Sequence, residues 1–263
     1  MNDLTVSIVI YNNYEDTEKA VASIEDYTNR SIQKTVFLVD NSVRPDIDAE
    51  KTAFRQHMMA YDSVEYIDVG KNIGFGKGHN YVLSRLDSSF HAIVNPDIYF
   101  AEDVFSDLMD FMDCSSIGMC TPRLVDPDGC LQPAYRREIT VLDILNRTVL
   151  KRALKKREHY HTMQEQNFEE PFYVPFAQGS FLLVRTELFR RIGGFDERFF
   201  MYLEDADLCK RINQISQTWY CPSVTVYHKW GMESHKDRKL ALIHLKSMIL
   251  YFMKWCLKTE NKE

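Results

Sequence analysis

Thr35-Val36-Phe37-Leu38-Val39-Asp40 is an almost unbroken run of apolar and β-branched residues that ends in an acid. Such a run reads as a buried strand. Upstream, Leu4-Thr5-Val6-Ser7-Ile8-Val9-Ile10 is a second one. A polar turn over residues 12–16 and a helical stretch over 17–27, with Ala20, Val21 and Ile24 on one face, lie between the two. Downstream come a helical stretch over 49–61 and a third strand, Val64-Glu65-Tyr66-Ile67-Asp68-Val69. A glycine-rich turn over 70–78, a helix from His79 to about Leu86, and a fourth strand, His91-Ala92-Ile93-Val94, follow. Asn95-Pro96-Asp97 breaks that strand. Strands and helices alternating at this spacing predict an α/β fold, a mostly parallel sheet with right-handed crossovers. Ligands on such sheets bind at the carboxyl ends of strands, so Asp40, residues 70–78 and residues 95–97 are expected to share one crevice.

Composition sets bounds on function. At 263 residues the chain can bury a sizeable core without disulfides or a structural metal. A net charge of −6 argues against a general nucleic-acid binder and leaves local basic patches open. The six cysteines (114, 120, 130, 209, 221 and 256) form no C-x-x-C pair. They read as reduced thiols rather than as a disulfide framework or a zinc site. Asn2-Asp3 stands where a signal peptide would be basic, and no apolar run reaches the length of a membrane span. A cytoplasmic protein is the expectation.

The second half is less regular. Residues 140–157 read as a helix carrying a basic cluster of Arg147, Lys151, Arg152, Lys155, Lys156 and Arg157, followed by a polar loop over 159–171. Phe181-Leu182-Leu183-Val184 reads as a strand, 187–192 as a short helix, and Gly193-Gly194-Phe195-Asp196 as a turn. The turn leads to Phe199-Phe200-Met201-Tyr202-Leu203-Glu204-Asp205-Ala206-Asp207, three acids in four positions where an aromatic run meets a helix. Carboxylates at a helix N-terminus stay ionised, and there they can act as caps or as a general base. Residues 218–226 are again β-like and end at Tyr227-His228, and 238–258 read as one long helix. No repeat or linker separates two domains.

The ordered pieces are Asp40-Asn41-Ser42, Asn72-Ile73-Gly74-Phe75-Gly76, Asn95-Pro96-Asp97, Gly193-Gly194-Phe195-Asp196, Tyr202 to Cys209, and His228-Lys229-Trp230-Gly231-Met232-Glu233-Ser234. Together they resemble the inverting family-two glycosyltransferases, over about residues 6–234, and within that family the rhamnosyltransferase-type members. The resemblance implies a GT-A fold, a Rossmann-like, mostly parallel central sheet flanked by helices. It implies that Asp40 contacts the nucleobase of a sugar nucleotide, with Tyr11 and Asn12 beside it. A strand-end cap on the following turn is the other reading of Asp40. Asn72, Gly74 and the neighbouring glycines would line the donor pocket, and Gln178-Gly179-Ser180 would lie beneath the sugar. The family's metal motif is Asp-x-Asp, and Asn95 replaces its first acid. Asp97 is therefore the expected metal anchor, Asn95 a contact to sugar or metal-bound water, and His228 a second ligand to the cation or a phosphate contact. Mn2+ should serve at least as well as Mg2+, because imidazole suits it. Asp205 is the expected general base, and Glu204 is expected to position it or to bind the acceptor or donor sugar. Phe199, Phe200 and Tyr202 can form an apolar wall for the acceptor or belong to the core.

The division this implies is a domain over 1–235, with a nucleotide half over about 1–100 and a catalytic half over 101–235. Residues 236–263 form an amphipathic C-terminal helix. On a helical wheel Lys236, Lys239, Lys246, Lys254 and Lys258 fall opposite Ala241, Leu245, Met248, Phe252 and Cys256. Such a helix can pack on the core, meet a second subunit in a homo-oligomer, or lie on a membrane surface beside the basic helix over 147–157. The function this implies is transfer of a sugar, L-rhamnose from dTDP-L-rhamnose, onto a polyprenyl-linked glycan at the inner face of the cell membrane. UDP-linked galactofuranose, galactose, glucose or N-acetylhexosamine are alternative donors. A nucleotidyltransferase is disfavoured because Tyr11-Asn12-Asn13-Tyr14 is not a basic glycine-rich loop. Asp40, Asp97, Asp205 and His228 occurring together argue against a non-catalytic binding module.

Overall fold

The computed structural model describes residues 2–114, 116–148, 150, 153–229 and 238–256. Of the segments read from sequence, Lys151, Arg152, residues 230–237 and residues 257–263 lie outside the described residues, as do the side chains of Arg147 and Cys256. The elements in chain order begin with β1 (Asn2–Ile10), α1 (Tyr14–Tyr27), β2 (Lys34–Asp40), α2 (Asp48–Met58), β3 (Val64–Asp68), α3 (Phe75–Asn80) and β4 (Ser88–Val94). Next come β5 (Ile98–Tyr99), α4 (Val104–Phe111), β6 (Ile117–Val125), β7 (Tyr135–Arg136), α5 (Val141–Thr148) and α6 (Lys155–His161). The chain then forms β8 (Phe172–Tyr173), β9 (Phe176–Ala177), β10 (Phe181–Arg185) and α7 (Thr186–Arg191), and finally α8 (Glu204–Ile212), β11 (Gln217–His228) and α9 (Arg238–Cys256).

One sheet runs β3-β2-β1-β4-β10-β6-β11-β5, with β8 added beside β11, and β7 pairs with β9 in a separate ribbon. β1 to β4 are mutually parallel, with Ile10 opposite Asp40, Asp40 opposite Asp68, and Ile8 opposite Val94. This register brings the carboxyl ends of all four strands to one edge. β10 runs antiparallel between β4 and β6, and β11 then runs parallel to β6. Leu4, Val6, Ile8, Ile10, Val36 and Leu38 are all fully buried. A parallel sheet is covered on both faces, which is why these strands read as near-continuous apolar runs.

Three elements differ from the reading of the sequence. The glycine-rich segment is not an open turn: α3 begins inside it, at Phe75. The basic stretch over 140–157 is two helices, α5 and α6, broken between Thr148 and Lys155. The third is the inward face of α9. It centres on the stripe of Ser247, Tyr251, Lys254 and Trp255, which takes one residue from the lysine side, with Met248 and Phe252 of the opposite side partly buried beside it. Ser247 donates to the Met201 carbonyl at 2.8 Å. Lys254 pairs with Asp196 at 2.7 Å and Asp207 at 2.6 Å. The Trp255 indole N–H donates to Asp207 at 3.0 Å. Two carboxylates drew one lysine inward, and a wheel of hydrophobicity cannot foresee that.

Candidate active site

Asp40 closes β2 and is fully buried. Its Oδ2 accepts from the Tyr14 hydroxyl at 2.9 Å and the Tyr66 hydroxyl at 2.5 Å, and its Oδ1 accepts from the Ser42 N–H at 2.8 Å. Lys51 stands 3.9 Å away and pairs with Asp68 at 2.8 Å. Burial, with Asp40 close by, pushes both phenols up from their ordinary values. Asp40 thus caps its own turn and anchors two tyrosines. A carboxylate oxygen carries two lone pairs, so Oδ1 keeps one acceptor position. Beside it opens a cleft of about 540 Å³ lined by Ser42, Arg44, Asp48, Lys51, Asp68 and Gly70, among others. Tyr11 is half exposed. Asn12 is left-handed at φ 56°, its N–H donates to Ser42 Oγ at 2.8 Å, and its Oδ1 is buried without a partner.

Asn72 accepts from the Gly74 N–H at 2.9 Å. The glycines after it serve close packing of the protein on itself. Gly74 has φ +91°, and a Cβ there would lie 2.2 Å from the Phe200 carbonyl oxygen. The Phe75 N–H donates to that same oxygen at 3.0 Å. A Cβ on Gly76 would meet Phe195 at 2.8 Å, and one on Gly78 would meet Val9 at 2.7 Å. The segment therefore fastens the parallel half of the sheet to the loop before α8.

One short backbone segment joins the remaining motifs. The Asn95 N–H donates to the Ser180 carbonyl at 2.8 Å, the Gly179 N–H donates to Asp205 Oδ2 at 3.1 Å, and the Gln178 N–H donates to the Ala134 carbonyl at 2.9 Å. Asp205 Oδ1 accepts from the Ala206 N–H at 2.8 Å. The two residues before α8, Tyr202 and Leu203, have φ of 72° and 67°. Two successive side-chain-bearing residues in the left-handed region are strained, and such strain persists where the surroundings impose it, as at functional sites.

Glu204 is buried and its Oε2 has no partner. Burial and then the neighbouring Asp205 charge hold its carboxyl well above the usual range. Burial also raises Asp205, opposed by the N–H groups of Gly179 and Ala206 and by Arg136. Two adjoining acids share charge as a pair. The donors on Asp205 favour its ionised form, and Glu204 is the carboxyl held further above its ordinary range.

Asp97 Oδ1 lies 3.4 Å from His228 Nε2, and the Lys229 N–H donates to the Asp97 carbonyl at 3.2 Å. Gln132, absent from the sequence reading, holds this histidine twice. Its Oε1 lies 2.8 Å from His228 Nδ1, and its amide N–H donates to the His228 carbonyl at 2.7 Å. That amide orientation makes Nδ1 a donor and turns Nε2 toward Asp97. An outer partner that fixes a histidine's tautomer is a regular companion of metal ligation. No sequence signal marks Gln132, since only its spatial neighbour gives it meaning. Among the described residues no group of three His, Cys, Asp or Glu could hold a metal ion. One oxygen and one nitrogen fit a divalent cation only together with phosphate oxygens, which need few protein ligands.

Comparisons place these features among known proteins. The family described as Glycosyl transferase family 2 matches residues 5–193. The chain is 29% identical over 251 residues, 89% of its length and 78% of the relative's, to "N-acetylglucosaminyl-diphospho-decaprenol L-rhamnosyltransferase" of Mycobacterium tuberculosis. It is 27% identical to "Rhamnosyltransferase WbbL" of Escherichia coli, over 75% of this chain and 76% of that one. Among solved structures it resembles GalNAc-T7 with UDP, GalNAc and Mn2+ at TM-score 0.71 and 14% identity, covering 99% of this chain and half of that one. The mannosyltransferase PcManGT of Pyrobaculum calidifontis with GDP-Man and Mn2+ is similar at TM-score 0.66 and 14% identity, over all of this chain and 67% of that one. The likeness to these glycosyltransferases is one of fold.

Proposed function

The chain belongs to glycosyl transferase family 2 and is a glycosyltransferase, and from that premise we propose that it moves L-rhamnose from dTDP-L-rhamnose, with inversion, onto a hydroxyl of a lipid-linked glycan. The rhamnosyl donor and the diphospho-polyprenol acceptor are taken from what the named relatives do. The observation that carries the mechanism is the Gly179 N–H bond to Asp205, one residue from the Ser180 carbonyl that receives the Asn95 N–H. It sets the end of β4 and the start of α8 against one short segment.

Asp205 takes the proton of the acceptor hydroxyl. Each of its oxygens uses one lone pair on a backbone N–H and keeps another for that proton. The acceptor oxygen then bonds to the anomeric carbon as the bond to the diphosphate breaks on the opposite face, so no covalent enzyme intermediate is needed. Protonated Glu204 donates a hydrogen bond within the sugar-binding part of the crevice. Asp97 and His228 would hold a divalent cation against the diphosphate, where it would neutralise the charge of the leaving group. Asn95, Gln178 and Gly179 border the sugar. Tyr11, Asn12, Asn72 and Gly74 border the nucleotide, with Asp40 as the buried anchor behind its base.

The test is nucleotide release from a panel of sugar nucleotides, with Mn2+ or EDTA, by wild type and Asp97→Ala. Metal-dependent release of dTDP from dTDP-L-rhamnose, lost in the variant, is the expected result. Selective release of UDP would replace the donor and keep the mechanism, a second reading favoured by the UDP-bound neighbour. Release that is indifferent to both EDTA and Asp97→Ala would overturn the metal assignment.

A further inference from the structure

Two surface helices of this protein have their apolar residues pointing the wrong way for a protein surrounded by water. On α9 the residues Leu242, Leu245, Ile249 and Met253 are 52, 47, 53 and 58% exposed. Their spacing of three, four and four puts them on one face, about 16 Å long at 1.5 Å per residue. That face is opposite the one that holds Ser247, Tyr251 and Trp255 against the domain. A helix apolar on both its inner and its outer side is normally buried on both.

On α5 the inversion is plainer. Val141, Leu142 and Leu145 are exposed, and Leu150 and Leu154 beyond the helix are exposed as well. The polar residues of α5 face inward. Asp143 pairs with Arg157 at 2.7 Å, and buried Asn146 accepts from the Leu154 N–H at 2.9 Å.

A chain of side-chain contacts through α8 links the end of α9 to the segment before α5. Lys210 lies 5.0 Å from the Trp255 ring, near the end of α9, and pairs at 2.7 Å with Glu138. Glu138 is three residues before α5. Together the two outward faces offer far more apolar surface than scattered single residues do.

Charge decides between occupants. The chain has 38 acidic residues, yet the 19 residues of α9 contain none. Lys239 and Lys246 are exposed on α9 beside the apolar face, and Lys155 and Lys156 are exposed at the start of α6. Protein interfaces are depleted in lysine and favour aromatic residues. An aliphatic stripe bordered by lysines suits the boundary between acyl chains and anionic headgroups. No helix among the described residues is long and apolar enough to cross a membrane, so the contact would lie along the surface.

We propose that the outward faces of α5 and α9 form a docking surface for an anionic lipid bilayer, which would hold the enzyme where a lipid-linked acceptor is embedded. This deepens the lipid-linked-acceptor reading and rests on it for the purpose of docking, while the surface itself stands on the exposed side chains.

The experiment is flotation of the full chain with phosphatidylcholine vesicles, with and without phosphatidylglycerol, at low and high salt. Wild type should float with the anionic vesicles and less so at high salt. The triple variant Leu242→Gln/Ile249→Gln/Met253→Gln should lose about tenfold or more in partitioning, as should Val141→Ser/Leu145→Ser. Nucleotide release from a soluble donor should be unchanged in both, which shows that they fold. Flotation equal to wild type in both variants, or none by wild type, would overturn the proposal. A wild-type dimer by light scattering that the triple variant dissolves, without vesicle binding, would assign the face to a second copy instead. Vesicle binding together with transfer only to soluble sugars would leave the surface standing and remove the lipid-linked acceptor.

Discussion

Asp40 and Glu204 are buried acids, one closing β2 and the other opening α8 beside Asp205, and the two places are treated in opposite ways. Both oxygens of Asp40 are partnered, by two tyrosine hydroxyls and a backbone N–H, with a lysine nearby. Glu204 has an orphaned oxygen, Asp205 is held by two backbone N–H groups, and the pair follows two strained residues. A satisfied buried network fixes a structure, whereas an unsatisfied one stores free energy that a ligand can release. The β2 end is accordingly an anchor, and the α8 start is where the proposed mechanism puts its chemistry.

The contrast can be broken in order of effect. Asp205→Asn should lower turnover by about a thousandfold or more, because the general base is lost, while nucleotide affinity measured by titration stays near wild type. Near-normal turnover would move the base elsewhere. Asp40→Ala should cost about 3 kcal/mol of stability in urea unfolding, because it strands two buried hydroxyls. If it instead abolished nucleotide binding without destabilising the fold, Asp40 would be a contact and not an anchor.

Gln132→Leu should weaken Mn2+ binding in the presence of nucleoside diphosphate by about 10- to 100-fold, the usual effect of removing a partner that orients a ligand. Electron paramagnetic resonance titration of free Mn2+ reads this directly, and unchanged affinity would separate His228 from the cation. The smallest effect sharpens the contrast. The carboxyl of Glu204 is raised in the folded state, so folding is increasingly disfavoured as pH rises above its unfolded value. Glu204→Gln should therefore melt higher than wild type at pH 8, and the gain should vanish near pH 4. Because a protonated Glu204 and a glutamine both donate, turnover should stay within about tenfold of wild type. A melting point lower than wild type at pH 8 would mean that Glu204 is ionised.

The parallel half of the fold was legible because a parallel strand covered on both faces must be apolar along its whole length, as β1 and β2 are. Strand β6 was not. Ile117-Gly118-Met119-Cys120-Thr121-Pro122 contains two residues that argue against a strand interior. In the fold both have reasons. A Cβ on Gly118 would meet Leu188 and Ser216 at 2.5 Å, and Pro122 lies where the register with β11 shifts, after Cys221. Of the site, the carboxylates and His228 were visible as residue types at motif positions. Gln132 was invisible, since a lone glutamine 96 residues from its partner carries no pattern.

The sequence by itself determined the α/β class, the order of the parallel strands' strand-end motifs and the identity of the acids, because periodicity and side-chain chemistry are local properties. Tertiary structure alone decided which acid has both oxygens partnered and which has not, what the glycines approach, and which face of α9 turns inward. Those outcomes depend on what stands opposite each group. Burial turns the presence or absence of one donor there into the difference between an anchor and a reactive carboxyl.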